Sequence, residues 1–317
     1  MKRVAVIGVG QFGREHARVY AKSAHAELVA VCDTDRQAGL QVAASCGVPL
    51  ETDFRKLIGR VDAVSLAVPT VHHYAVAREL LDAGVAVLVE KPIASSLDEA
   101  DELIAAAEHN KAVLQVGHLE RFNPVVTAAA RIVTQPRFFE AHRLSVFTPR
   151  SLDIDVVMDL MIHDIDVVLS FTKSEVAEIR AAGVPILTPR VDIANARIEF
   201  ENGCVANLTA SRVSSERVRK LRFFQPHEYV SLDYSVQEAT VVSVKPDAGG
   251  RPPFQSRLLE VDRDEPLRLE IESFLAAVSG GPTTPSGEDG RKALALAVEV
   301  SDKIKQHAER AGVPFGG

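Results

Sequence analysis

The chain is short of cysteine, of excess positive charge and of long apolar runs, and each shortage closes off a class of protein. Its three cysteines, Cys32, Cys46 and Cys204, are odd in number, far apart and at no metal-ligand spacing. Neither a disulfide framework nor a zinc site is expected, and no metal is assigned. Acidic side chains outnumber basic ones, 43 to 36, for a net charge of -7, so long-range attraction to nucleic acid or anionic lipid is not expected. No segment approaches the roughly 18 apolar residues of a membrane span, and the opening MKRVAVIG runs straight into a strand pattern without an apolar targeting core. Internal repeats and low-complexity tracts are missing as well. The expectation is a soluble, cytoplasmic protein.

What remains has a globular composition, 46% hydrophobic and 25% charged over 317 residues, a length suited to about two domains. The first third alternates short β-branched runs with amphipathic stretches. Val4 to Gly8, Leu28 to Asp33, Ala63 to Val68, Ala86 to Glu90 and Val113 to Val116 are the strand candidates. Strands that alternate with helices and are apolar on nearly every residue predict a parallel sheet covered on both faces. After Asn123-Pro124 the pattern changes to longer extended segments: Phe138 to Phe147, Asp192 to Phe200, Cys204 to Ser211, Val218 to Phe224 and Tyr229 to Tyr234. The turn Glu201-Asn202-Gly203 between two of them reads as a hairpin. The expected fold class is α/β: a doubly wound Rossmann domain over 1–122, then an α+β domain with a large, mainly antiparallel sheet over 123–317. Two helices close the chain, the second opening on Ser286-Gly287-Glu288-Asp289, a capping-box pattern.

Gly8-Val9-Gly10-Gln11-Phe12-Gly13 follows the first strand and opens a helix, and Asp33 ends the second strand 20 residues after Gly13. A tight turn alone would account for the glycines; strand, helix and downstream acid in register select a dinucleotide site. Gly8 permits the turn, Gly10 lets the backbone approach a pyrophosphate, and Gly13 allows close packing of the helix whose N-terminus stabilises the anion. Asp33 is placed to accept from the ribose hydroxyls and to repel the extra phosphate of NADP, so NAD is the expected cofactor, with Arg36 nearby softening the discrimination.

The fifth strand ends in Glu90-Lys91-Pro92, which puts a lysine at the carboxyl edge of the sheet, where open α/β sheets bind ligands. A solvated strand end is the plainer reading of Lys91 taken alone. At 100° per residue, Asp155, Asp159, His163, Asp166 and Ser170 fall within an arc of about 80° on an otherwise apolar helix, broken only by Asp164. This inverted amphipathicity predicts a largely buried helix with a polar stripe along a cleft. Asp159 and His163, four apart, form a usable acid/base pair: the carboxylate orients the imidazole, which takes a hydroxyl proton as hydride leaves.

The fingerprint, the Glu90-Lys91-Pro92 triplet and Asp159-x-x-x-His163-x-x-Asp166 together resemble the Gfo/Idh/MocA oxidoreductases, over essentially the whole chain. The resemblance implies that Lys91 hydrogen-bonds the substrate hydroxyl and that His163, held by Asp159, exchanges its proton. It also implies cofactor contacts from Gln11, Phe12, Pro69, Thr70, His73, Glu90 and Lys91. The stretches Gly117 to Pro124, His142 to Arg150 and Arg222 to Pro226 are most similar to the branch that oxidises the 3-hydroxyl of UDP-N-acetylglucosamine to a ketone, which an aminotransferase consumes on the way to lipid A. That implies substrate contacts from Arg121, Asn123 and Arg150, besides Lys91, Asp159 and His163, and a homodimer or homotetramer. Asp155 to Met158 depart from the glycines usual before the catalytic Asp. Arg121, Arg143, Arg150, Arg212 and the run Arg217 to Arg222 are available for a pyrophosphate, although the run also reads as a charged edge strand. Two other readings stand beside this one: a dehydrogenase of another sugar or cyclitol, and a non-catalytic NAD(P) sensor, which would have no need of Lys91, Asp159 and His163.

Overall fold

The computed structural model describes residues 1–148, 154–244 and 254–312, in two compact units. The first comprises Met1–Leu119 and Glu265–Leu294, the second Glu120–Asp264 and the chain from Ala295. The first unit thus draws in a segment from near the end of the chain.

The first unit runs β1 (Lys2–Ile7), α1 (Gln11–Tyr20), β2 (Ala26–Cys32), α2 (Arg36–Cys46), β3 (Leu50–Glu51), β4 (Ala63–Leu66), α3 (His73–Asp82), β5 (Ala86–Glu90), α4 (Leu97–Asn110) and β6 (Leu114–Gly117). The sheet order is β3-β2-β1-β4-β5-β6, and every pair is parallel. This is the dinucleotide-binding order, with its reversal between β1 and β4. All four residues of β4 and the first four of β5 are buried, as a sheet with helices on both faces requires. The two-residue β3 is too short to leave a periodicity in the sequence. Local chemistry starts the helices: Asp35 accepts from the Gln37 and Ala38 N–H groups at α2, and at α4 Ser96 accepts from Glu99 N–H while the Glu99 carboxylate accepts from Ser95 N–H.

The second unit contains α5 (Pro124–Ala130), β7 (Phe138–Leu144), a π turn (Val157–Met161) leading into α6 (Ile162–Thr172), then β8 (Val176–Val184), β9 (Ile193–Phe200), β10 (Val205–Ser211), β11 (Val218–Gln225), β12 (Glu228–Asp233), β13 (Glu238–Val244) and β14 (Phe254–Leu258). Its sheet order is β14-β13-β12-β11-β7-β10-β9-β8. The sheet is antiparallel except where β10 lies parallel to β7. The β9–β10 hairpin turns at Gly203, whose φ of 78° suits glycine. Alternation along β9 buries Ala194, Ala196, Ile198 and Phe200 on one face, the signature of a sheet covered on one side. The apolar α6 packs there, with Phe171 against Phe139 and Phe223 at ring distances of 6.3 and 5.9 Å.

Two helices follow, α7 (Pro266–Val278) and α8 (Gly287–Ala311). Ile271, Phe274 and Leu275 of α7 enter the same core as Val4, Val6 and Tyr20, which is why this segment returns to the first unit. Helix α8 opens on a reciprocal capping box: Ser286 N–H donates to the Asp289 carboxylate at 3.0 Å, and Asp289 N–H to the Ser286 hydroxyl at 3.3 Å. It begins in the first unit and continues in the second. Among the described residues no helix is long and apolar enough to cross a membrane.

Candidate active site

In the first unit the glycine loop occupies the switch point. Gly8 has φ 82°, and a Cβ there would stand 2.7 Å from the Ala67 carbonyl just past β4. A Cβ on Gly13 would stand 1.7 Å from the Gly8 oxygen. Both glycines are therefore required by the protein's own packing. Gly10 differs, because a Cβ there meets nothing within 4 Å. That open space leaves room for the close approach a pyrophosphate-binding glycine must allow. Gly10 is also the N-cap of α1, without a side-chain cap and with no acidic residue in the first turn among the described residues, so the positive end of the helix is open to an anion. Gln11 and Phe12 are exposed at this helix start. Asp33, half-buried, accepts from Val9 N–H at 2.7 Å and from Asp35 N–H at 2.8 Å, one bond on each oxygen. Each oxygen keeps a second lone pair for a diol. The residues fit a dinucleotide.

The next strand ends are cross-braced. His73, buried at the start of α3, lies 2.9 Å from the Val68 carbonyl through Nε2 and 2.9 Å from the Pro92 carbonyl through Nδ1. It thereby ties the loop after β4, with Pro69 exposed and Thr70 half-buried, to the turn after β5. Burial pushes its imidazole down, against the pull of the two carbonyls. Lys91 is half-buried just past β5. Burial opposes ionisation of Glu90, yet its hydrogen bond to His16 and the charges of His16, Lys91 and His73 hold its carboxyl below the ordinary range. His16 carries only a faint sequence signal, a histidine on the inner face of the fingerprint helix.

In the second unit the polar stripe is split by geometry. Asp159 lies in the π turn and His163 at the second position of α6, and both are half-buried. A π turn inserts a residue into the helical repeat, so a uniform 100° wheel slips in phase across it. Asp155, ahead of the π segment, accepts from Met158 N–H at 2.9 Å and from the Ser301 hydroxyl at 3.1 Å. Asp166, expected on the open stripe, is 0% exposed and takes both Nε and Nη2 of Arg121, each at 2.7 Å. Asp164, the exception on the wheel, is buried against Arg143.

The arginines offered for a phosphate are mostly engaged within the protein. Arg121 is paired with Asp166, and Arg143 bridges Asp164 and Glu120 beneath the Tyr234 ring, 5.3 Å from its centroid. Arg212 donates to the Ile154 carbonyl at 2.6 Å and faces Asp192. Asn123 caps α5, accepting from Val125 N–H, and its amide N–H groups go to Glu120 and the Tyr234 carbonyl, so its donors are used inside the fold. Arg150 lies outside the described residues. Arg217 and Arg219 are exposed and have no ion pair among the described residues. Desolvation and the charge of Arg143 push the Arg219 guanidinium down. All three cysteines are free, and burial pushes the Cys32 thiol up to about 12, which removes it as a nucleophile.

The chain is similar to known proteins along most of its length. Residues 2–118 match a family model described as oxidoreductase family, NAD-binding Rossmann fold, and residues 128–224 match the GFO/IDH/MocA C-terminal domain. The chain is 39% identical over 313 residues to the UDP-N-acetylglucosamine 3-dehydrogenase of Acidithiobacillus ferrooxidans, covering 97% of this chain and 99% of that protein. A solved structure of that enzyme superposes with a TM-score of 0.91 at 38% identity, covering 96% of this chain and 98% of the other. An inositol 2-dehydrogenase of Rhizobium meliloti is 28% identical over 315 residues, 93% of this chain and 94% of that one.

Proposed function

The chain belongs to the Gfo/Idh/MocA family of oxidoreductases, with an NAD-binding Rossmann domain, and we propose that within it this enzyme oxidises the 3-hydroxyl of a UDP-linked N-acetylhexosamine to the 3-keto sugar nucleotide. The observation that carries this reading is end-to-end similarity to a UDP-N-acetylglucosamine 3-dehydrogenase, 39% over 97% of the chain; Lys91, Asp159 and His163, in the spacing that resembles the family's motif, support it.

Bound NAD supplies the hydride acceptor. The chain's own groups do the rest. Gly10 and the α1 N-terminus hold the pyrophosphate, and Asp33 holds the ribose diol, which favours NAD over NADP. Lys91 donates a hydrogen bond to the substrate oxygen and stabilises its developing negative charge. His163, oriented by Asp159, takes the hydroxyl proton, a contribution of about 10²- to 10⁴-fold for a positioned base. Arg217 and Arg219 are the cations best suited to the substrate pyrophosphate, since the guanidinium fork matches phosphate oxygens. The ketone product is the substrate an aminotransferase requires.

The test is NADH formation, followed by its near-ultraviolet absorbance, from NAD and UDP-N-acetylglucosamine in the presence of a 3-keto-sugar aminotransferase and glutamate. The expected result is a signal that depends on the UDP-sugar. NAD binding without such a signal, with turnover of a free sugar or cyclitol instead, overturns the substrate assignment.

A further inference from the structure

Within the first unit, α7 carries a carboxyl that the cofactor and substrate readings leave unused. Glu270 lies on the apolar stripe of α7, beside Ile271 and one turn before Phe274, and is 0% exposed. Neither of its oxygens has a hydrogen-bond partner among the described residues. One nitrogen of His16 and one oxygen from each of Glu90 and Glu270 lie within 4.8 Å of one another. Only His16 and Glu90 are bonded, at 3.0 Å. Around them the interior is polar: Gln115 donates to the Glu270 main-chain oxygen at 3.4 Å while its own Oε1 finds no partner, His16 Nδ1 finds none either, and the Tyr20 hydroxyl meets Ser65 at 2.9 Å.

Two carboxylates this close and this dry do not both ionise; one keeps a proton. The charged groups around the pair decide which. His16 from α1, Lys91 at the end of β5 and His73 from α3 all attract the charge on Glu90. Glu270 faces burial and the Glu90 charge, both of which push its carboxyl well above the ordinary range. The remaining titratable neighbour, Tyr20, is itself held neutral by burial.

We propose that Glu270 is a neutral carboxylic acid whose proton faces Glu90, and that it acts as a positioning residue for Lys91, the residue after Glu90. The second part rests on the reading of Lys91 given above. With Glu270 neutral, one negative charge stands at the end of β5, held between His16 and Lys91. With Glu270 ionised, repulsion pushes Glu90 out of that position and carries the adjoining Lys91 turn with it.

The protonation state is tested without substrate, so its failure is separate from failure of the assigned reaction. Between the unfolded glutamate pKa of about 4.3 and the native value, the folded protein keeps a proton that the unfolded chain has lost. The wild-type folding equilibrium then falls by about tenfold per pH unit relative to Glu270→Gln, as read by denaturant unfolding across that range. Infrared spectra of the wild type carry the C=O band of a buried protonated acid, which Glu270→Gln lacks. Parallel pH curves and no such band overturn the proposal. So does a rise in the wild-type unfolding midpoint on adding zinc that Glu270→Gln does not share, since that assigns the cluster to a cation. For positioning, Glu270→Met lowers turnover by about 10- to 100-fold, the scale of a small misplacement of a reacting group, with NAD affinity kept, and Glu270→Gln, a neutral isostere, restores most of it. Undiminished turnover in Glu270→Met overturns the positioning role; if that variant does not fold, the infrared band of the wild type still decides the protonation state.

Discussion

Nε2 of His16 lies 3.0 Å from Oε1 of Glu90, joining the helix behind the glycine loop to the strand end that precedes Lys91. His16 is 1% exposed, so the bond is made in a dry environment where its loss leaves a carboxylate short of a donor. His16→Leu is expected to destabilise the protein by about 1–3 kcal/mol, the cost of an unsatisfied buried polar group, measured as a lower urea midpoint.

The fingerprint glycines separate cleanly into two roles. Gly10→Ala adds a methyl group that meets no protein atom within 4 Å, so stability changes by no more than about 0.5 kcal/mol while NAD affinity drops. Gly13→Ala sets a Cβ 1.7 Å from the Gly8 oxygen and is expected to cost about 3 kcal/mol or more by overpacking. Calorimetric unfolding beside an NAD titration reads both; a Gly10→Ala protein that binds NAD normally would remove Gly10 from the pyrophosphate site.

Lys91→Ala and His163→Ala are expected to bind NAD and to lose about 10²- to 10⁴-fold in turnover with the UDP-sugar. Near-normal rates in either variant take that residue out of the mechanism.

Arg121 and Asp166 form a bidentate pair at 2.7 Å with the acid fully buried. Arg121→Ala leaves that acid without its partner and is expected to cost about 3–5 kcal/mol, visible in denaturant unfolding. A loss confined to substrate KM, with stability intact, would instead make Arg121 a ligand contact.

Asp192 is buried, and although burial opposes ionisation, the N–H groups of Ile186, Leu187 and Thr188 and the Thr188 hydroxyl hold its carboxyl below the usual range. Its folded pKa lies below the unfolded value of about 4, so its contribution is complete above that value and is lost as pH falls through the lower, native one. Asp192→Asn should be less stable than wild type at neutral pH and show a shallower acid limb below pH of about 4. Superimposable acid limbs would contradict this.

Much of the first unit was legible because its signals are local. Glycines at Gly8, Gly10 and Gly13, β-branched runs and an acid at Asp33 are steric and chemical demands met within a few residues, and the strands fell where those runs predicted. In the second unit the segments around β7, β9, β10, β11 and β12 were readable by alternation, whereas β8, β13 and β14 were not singled out. The helical wheel placed Asp159, His163 and Asp166 on one stripe; the π turn, which leaves no mark in a pattern read at constant pitch, shifts Asp159 against the other two, and Asp166 is taken up by its pair with Arg121.

The sequence by itself determined the alternation of strands and helices in the first unit apart from β3, the nucleotide loop and the identity of the acid and base candidates, since these follow from side-chain shape and short-range periodicity. Tertiary structure alone decided which charges are occupied. Arg121 meets an acid 45 residues away, and Arg143 meets one 21 residues away, so their use as internal counter-ions is invisible until the chain folds. The same holds for Glu270. It reads as an ordinary acid in a helix until α7 returns to the first core and buries it against Glu90, where low dielectric and like charge change its chemistry.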